Sequence, residues 1–346
     1  MWGGHPAVLR ENAMRAIGGA AANGGQVPQE ARRAMRAAAL RQPLNPEPFL
    51  VAGTVAEVEG RGDAAEQLFL AARERDPRSA GARYFLADRY FRTGRLRQGI
   101  GELAALSRIM PGASAALAPA LASFAAEPRA APLLKRFFRS SPESRDEVLG
   151  LLSANPANAG LIVAISAEAP RTAPAPSWQS AIVRSLIDSG QPLRAREVWQ
   201  RLAGVQAANG LFNGEFRNLP APGPFNWTFA SGDAGLVEPA TGGGLQILYY
   251  GRADAVLASQ DLLLAPGPYR LHAQAAGDGA ALRWRLSCAK SAQLLAGMPV
   301  GGATDFTVPA GECPVQRIEL LARAADDPRQ VEVRVTRLTL DRKPQR

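Results

Sequence analysis

Lysine is nearly missing from this chain of 346 residues: Lys135, Lys290 and Lys343 stand against 37 arginines. Alanine is abundant as well, so the arginine bias reads as the mark of a GC-rich coding sequence rather than of a partner. Histidine is scarcer still, with only His5 and His272. A His-based triad or a zinc site needs more than these two, which sit at the N-terminus and between Leu271 and Ala273. No apolar run reaches the roughly 18 residues that span a bilayer, and Met1 to Gly25 has no apolar core of the secretion-signal kind. Cysteine occurs twice, as Cys288 and Cys313, both in the second half.

The net charge of +9 divides unevenly, +8 over residues 1–210 and +1 over 211–346. A basic half can attract nucleic acid or anionic lipid. The arginines are not interleaved with aromatic residues in the way single-strand binders require, so no nucleic-acid partner is expected. Two carboxylates across a cleft would be needed for glycoside hydrolysis. Glu215, Asp233 and Glu238 lie near one another but in ordinary loop and strand-edge positions. The run Gly242-Gly243-Gly244 lacks the lysine and following helix of a phosphate loop and reads as a turn. No catalytic residue, metal or cofactor is called for.

What is present is a period. Pro43, Pro77 and Pro111 are spaced by 34 residues, and small and large side chains recur between them. With Pro77 at position 32 of a unit, Phe49, Gly53, Gly60, Ala65, Phe69 and Ala72 fall on the fourth, eighth, fifteenth, twentieth, twenty-fourth and twenty-seventh places. Leu86, Ala87, Tyr90, Gly94, Gly99, Leu103 and Pro111 follow one period on, and Ala31, Met35, Ala38 and Pro43 come one period earlier, as the second helix of a preceding unit. Glycine or alanine at positions 8, 20 and 27 lets two helix backbones approach, and Phe69 or Tyr90 fills the gap beside them. Gly60 and Gly94 suit the left-handed residue that ends a helix, and each proline stops the next one. Over about residues 12–111 the chain resembles the tetratricopeptide-repeat family, whose stacked helical hairpins form a protein-binding scaffold.

Residues 112–168 still read as helices off the period: Ala113–Ala126, Pro132–Phe138, one opened by Ser144 with Glu147 as a capping box, and Ala157–Ala167. Residues 169–176 form a proline-rich linker, and a last hairpin at 177–206 keeps the repeat offsets at Gly190, Ala195 and Trp199. Domain one is therefore 1–208. From 209 to 346 the period changes to two, with eight or nine short strands expected. They include Leu245–Tyr250, Asp261–Ala265, Tyr269–Gln274, Leu282–Cys288, Phe306–Val308, Gln316–Leu321 and Val331–Leu340, the last bulged near Thr336. The fold class expected is α + β multidomain: an N-terminal α-solenoid followed by an antiparallel β-sandwich.

The opening Leu211-Phe212-Asn213-Gly214-Glu215-Phe216, then Pro224-Phe225-Asn226-Trp227, resembles the start of jelly-roll carbohydrate-binding modules of the galactose-binding-like fold. Pro266-Gly267-Pro268-Tyr269-Arg270-Leu271 and the terminal Val333–Leu340 strand fit the same pattern. The chain departs from it at Arg217, where further acidic or polar residues are usual. The resemblance implies glycan binding through exposed aromatic faces, for which Trp227, Tyr249 and Tyr250 are candidates with Asn226 beside them. Packing between the two sheets is the competing use of each. Trp284 shares parity with Leu282, Leu286 and Cys288 and is read as core, while Arg283 and Arg285 point to the other face, toward an acidic polysaccharide or water.

Two buried thiols would suit Cys288 and Cys313. Their confinement to one small β domain favours a single disulfide in an oxidising compartment, provided the Cα atoms lie within about 7 Å. The functional expectation is a non-catalytic adaptor, with a partner protein in the solenoid groove and a polysaccharide on the sandwich. It would serve envelope polysaccharide synthesis or export in a bacterium. A periplasmic or periplasm-facing location follows, with membrane association through an N-terminal anchor missing from this sequence; a cytoplasmic location is the alternative. A purely protein–protein scaffold is the second reading, with the sandwich as a structural cap, and a divergent glycan hydrolase the third.

Overall fold

The computed structural model describes residues 28–110, 114–125, 127, 129–166, 174–207, 210–324 and 329–344. Pro111, the start of the first half-unit and most of the 169–176 linker lie outside the described residues. The chain divides into two compact units, 1–148 and 149–346.

The first unit contains α1 (Gln29–Arg41), α2 (Glu47–Val58), α3 (Gly62–Arg75), α4 (Ala80–Arg92), α5 (Leu96–Ile109), α6 (Ser114–Phe124) and α7 (Ala130–Ser140), and α8 (Glu143–Ser153) runs across the division. Helices α2/α3 and α4/α5 are the two full repeats. Gly60 and Gly94, both at φ +72°, turn the chain between the helices of each pair, a conformation that costs a residue with a Cβ roughly 1 kcal/mol or more. Gly53 is needed for a different reason: a Cβ there would stand 2.9 Å from the Phe69 ring. Ala65 and Ala72 are buried on the same seam, and Phe69 stacks on Phe85 with ring centres 4.5 Å apart. Helix α3 stops just before Pro77, and the Ser79 side chain accepts from the Ala82 amide to open α4.

Two buried carboxylates tie the repeats together. Glu66 on α3 accepts from both terminal nitrogens of Arg95 at 2.5 Å, and from Arg89 of α4 at 3.4 Å. Glu102 on α5 accepts from Arg83 at 2.6 Å and from Arg73. The hydrogen bonds from Arg95 outweigh burial and hold the Glu66 carboxyl below its ordinary range. The capping box expected at Ser144 does not form. Helix α8 already begins at Glu143, so Ser144 sits inside its first turn, fully buried, and its hydroxyl makes no hydrogen bond. Its neighbour Ser141 instead pairs with Ser107 at 2.7 Å.

The second unit starts with a 3-10 turn (Pro156–Asn158), α9 (Ala159–Ser166), α10 (Ser177–Asp188) and α11 (Pro192–Ala203). The change from helix to strand falls between Ala203 and Thr228, but the hairpin α10/α11 belongs to the same compact unit as the strands. Trp199 is the reason. Its indole N–H donates to the Pro222 carbonyl at 2.7 Å, and its ring meets Phe212 and Phe225 edge-on at 5.0 and 5.9 Å. Arg196, one turn earlier, lies over Trp199 and Phe225, and burial lowers its pKa to about 10.

Among the described residues eleven strands follow: β1 (Thr228–Phe229), β2 (Ser231–Gly232), β3 (Gly235–Pro239), β4 (Leu245–Tyr249), β5 (Ala255–Leu262), β6 (Gly267–Gly277), β7 (Leu282–Cys288), β8 (Leu294–Pro299), β9 (Gly302–Val308), β10 (Gln316–Ala322) and β11 (Val331–Arg342). They form two antiparallel sheets in the orders β1-β5-β10-β7-β8 and β2-β3-β4-β11-β6-β9. From β3 onward the chain repeatedly crosses between sheets, the jelly-roll habit that leaves few open edges. The core between them includes Phe216, Trp227, Tyr249, Trp284, Ile318, Leu320 and Val335. In β11 the pairing shifts between Val335 and Arg337, which makes Thr336 the bulged residue. Cys288, at the end of β7, is bonded to Cys313, just before β10, with the Cα atoms 5.3 Å apart.

Candidate functional site

The helical unit offers an exposed face shared by α2 and α4. Tyr84 is 59% exposed and stands edge-on to Phe85. Two turns on, Arg92 bridges Asp88 of its own helix at 2.7 Å and Glu57 of α2 at 2.5 Å. The Glu57 hydrogen bond keeps the Arg92 guanidinium charged to still higher pH. An aromatic ring beside a charged network of both signs can accept an apolar side chain flanked by polar ones.

In the sandwich, three of the four glycan-contact candidates are core residues. Trp227 is 6% exposed, tilted against Phe216 at 5.0 Å and Trp284 at 5.8 Å, and its indole N–H donates to the Asn213 carbonyl at 3.0 Å. Asn226 is buried and donates to the Ala221 carbonyl at 2.9 Å. Tyr249 is fully buried, with its hydroxyl donating to the Ala253 carbonyl at 2.9 Å; burial raises its pKa. Tyr250 alone keeps partial access. The Asn-Gly-Glu-Phe motif explains the burial of Trp227. Asn213 and Phe216 have φ of +54° and +53°, and the Asn213 side chain clamps both the amide (2.8 Å) and the carbonyl (2.7 Å) of Arg217. This loop presents the Asn213 carbonyl to Trp227 and drives Phe216 into the core. Gly214 lies flush on β11, its carbonyl accepting from the Leu338 amide at 2.8 Å.

The outward face of the five-stranded sheet carries what those aromatics do not. Strand register lines up Val256, Leu321, Arg283 and Pro299 in one row, and Ser259, Glu319, Arg285 and Gly297 in the next. Asp261, Arg317, Ser287 and Leu294 form a third. A groove of about 550 Å³ opens over the first two rows. Arg285 is held by Glu319 at 2.7 and 3.0 Å, and Arg317 makes a bidentate pair with Asp261 at 2.6 and 3.1 Å, which raises the Arg317 pKa. Arg283 has no carboxylate partner among the described residues. Val256 and Leu294 are 43% and 63% exposed. The parity of Arg283 and Arg285 was legible in the sequence. Val256, Leu294 and Gly297 were not, because β5 starts six residues earlier than expected and β8, with two adjacent leucines, does not alternate.

Among the described residues no group of three or more His, Cys, Asp or Glu side chains is placed to hold a metal ion. Glu215 is engaged by Arg217 at 2.7 Å and Arg337 at 3.7 Å, while Asp233 is exposed in the β2/β3 turn and Glu238 is exposed near the far end of β3. The three glycines at 242–244 form the β3/β4 turn, all at positive φ. No helix among the described residues is long and apolar enough to cross a membrane.

Together these features define a helical-repeat scaffold joined to a jelly-roll sandwich. The tetratricopeptide repeat family model matches residues 58–124. Solved structures to which this chain is similar include MamA from Desulfovibrio magneticus RS-1, 17% identical, the match covering 57% of this chain and 92% of that one at a TM-score of 0.28. A carbohydrate-binding module from the lichenase 5A of Cellvibrio mixtus, in complex with cellotriose, is 13% identical and covers 34% and 92% at 0.24. Accessory secretory protein 1, 2 and 3 from Streptococcus pneumoniae is 9% identical and covers 40% and 99% at 0.29. No curated protein matches this chain.

Proposed function

We propose that the chain is a non-catalytic adaptor. Its tetratricopeptide hairpins hold a partner protein on the α2/α4 face around Tyr84, and its sandwich holds a glycan on the outward face of the five-stranded sheet. The observation that carries the reading is the groove over Arg283 and Arg285, an open site on a sheet whose aromatic residues are committed to the core. The disulfide between Cys288 and Cys313 supports work in an oxidising compartment, so the setting proposed is the periplasmic side of a bacterial envelope, in polysaccharide synthesis or export.

Burial of Trp227 and Tyr249 favours a second reading, in which the sandwich is a structural cap and the helical face alone binds a partner. Affinity electrophoresis of the full chain through gels carrying bacterial polysaccharides separates the two. Retardation by at least one polysaccharide is expected; none across a broad panel would leave the scaffold reading standing alone. For the helical face, Tyr84→Ala is expected to lose a captured protein partner without lowering the melting temperature, since the ring is mostly in solvent.

A further inference from the structure

We infer that the groove on the five-stranded sheet reads a carboxylated polysaccharide, a chain of uronic-acid type, with Arg283 as the anion contact. The inference rests on the glycan reading above and names the class of sugar. Three features of the face point the same way. First, charge: the two carboxylates at the centre of the face are already spoken for, Glu319 by Arg285 and Asp261 by Arg317. Asp254, at the rim, accepts from the Ala324 amide at 2.8 Å. Arg283 and Arg323 line the groove with no ion pair among the described residues, so the open site is cationic. A guanidinium is suited to a carboxylate because its planar fork meets both oxygens.

Second, shape. Gly297 stands directly opposite Arg285 in the register, so nothing rises from β8 at that point. A Cβ added to it would meet only ordinary contacts, the nearest 3.8 Å away at the Trp284 carbonyl oxygen. The space is therefore open by residue choice rather than required by the backbone. On either side Val256, Leu321 and Leu294 supply aliphatic surface for the C–H face of a pyranose ring. A neutral sugar would want an exposed aromatic platform, and the one ring bordering this groove, Trp284, is 1% exposed and packed into the core.

Third, the backbone. Strands β10 and β7, at the centre of the face, are paired on both sides. At the centre the face offers side chains and no free amide or carbonyl with which the backbone of an acidic peptide could pair as an added strand. A saccharide keeps its hydroxyls in water and needs only the charge and the aliphatic floor.

The test uses the full chain with three probes: polygalacturonate, dextran, and poly-L-glutamate as a carboxylated polymer without sugar rings. Binding to polygalacturonate is expected, weakening as salt rises. Arg283→Gln should weaken it about tenfold, the loss of one charge-assisted contact. Gly297→Val should weaken it at least as much by filling the groove, with both variants melting like the parent. Polygalacturonate binding untouched by either variant would move the site elsewhere and overturn the inference. Dextran bound as well as polygalacturonate would overturn the acidic class while leaving the glycan reading intact. Equal binding of poly-L-glutamate would reduce the site to general charge attraction, and binding of none of the three would overturn the acidic assignment.

Discussion

Replacing Trp199 by alanine tests whether the last helical hairpin is structurally part of the sandwich. The side chain is fully buried, donates its indole N–H to the Pro222 carbonyl and stands edge-on to Phe212 and Phe225. Truncating a buried tryptophan costs roughly 3–5 kcal/mol. In a unit of about 200 residues each kcal/mol moves the melting temperature by roughly 2–4 °C, so a fall of about 6–20 °C is expected. Trp199→Phe keeps most of the ring and gives up the hydrogen bond; it should cost about 1 kcal/mol for that bond plus a small packing loss. The assay is intrinsic fluorescence during thermal unfolding of the full chain. It is selective, because four of the five tryptophans, Trp178, Trp199, Trp227 and Trp284, lie within residues 149–346. In Trp199→Ala the remaining three should report one early, cooperative transition. If Trp227 and Trp284 kept their parental midpoint while helix signal was lost first, the hairpin would be an appendage and the packing argument would fail.

Three further outcomes are expected. Ala65→Leu should overpack the α2/α3 seam and cost roughly 1–3 kcal/mol, read as an earlier loss of helical circular dichroism; an unchanged midpoint would mean the repeat register is misassigned. Glu66, whose folded pKa is lowered by Arg95, adds stability that is fully present above the ordinary carboxylate pKa of 4.5 and is lost as pH falls through the lower folded value. The denaturant midpoint of the helical unit should therefore drop between pH 5 and strong acid, and Glu66→Gln should flatten that drop. The protein purified under oxidising conditions should show no titratable thiol when unfolded without reductant, and reduction should destabilise the sandwich by roughly 3.5 kcal/mol for a closed loop of 25 residues. Two thiols found in that titration would remove the disulfide argument for an oxidising compartment.

The repeats were legible in the sequence because each of their positions carries a steric demand that few residues meet. Gly60 and Gly94 occupy left-handed turns, Gly53 faces a ring at 2.9 Å, and Pro77 follows a helix end. Ser144 misled for the opposite reason: a serine followed three places later by glutamate is as compatible with the first turn of a helix as with its cap, and tertiary burial decided. The long strands β6, β7, β10 and β11 each carry a stretch of alternation long enough to read, whereas β1 and β2 are two residues each and β8 runs Leu294-Leu295 across a register shift. Short edges and irregular registers leave no period to read.

Trp227 and Tyr249 can serve in the core, where both are buried, because stacking on a sugar and filling a core ask the same of a ring: a flat apolar surface with one polar edge. Trp227 meets that description inside the sandwich, where a loop carbonyl takes its indole N–H. Chemistry by residue type therefore cannot separate the two uses, but parity can. Arg283 and Arg285 flank Trp284 on one strand, so whichever side the indole takes, the guanidinium groups take the other, and a core will not accept two of them. Once Trp284 is assigned to the core by its apolar neighbours in register, the face opposite is defined as the cationic one without reference to any ring. The groove follows from that placement together with Gly297, and the class of ligand follows from charges the sheet leaves unpaired.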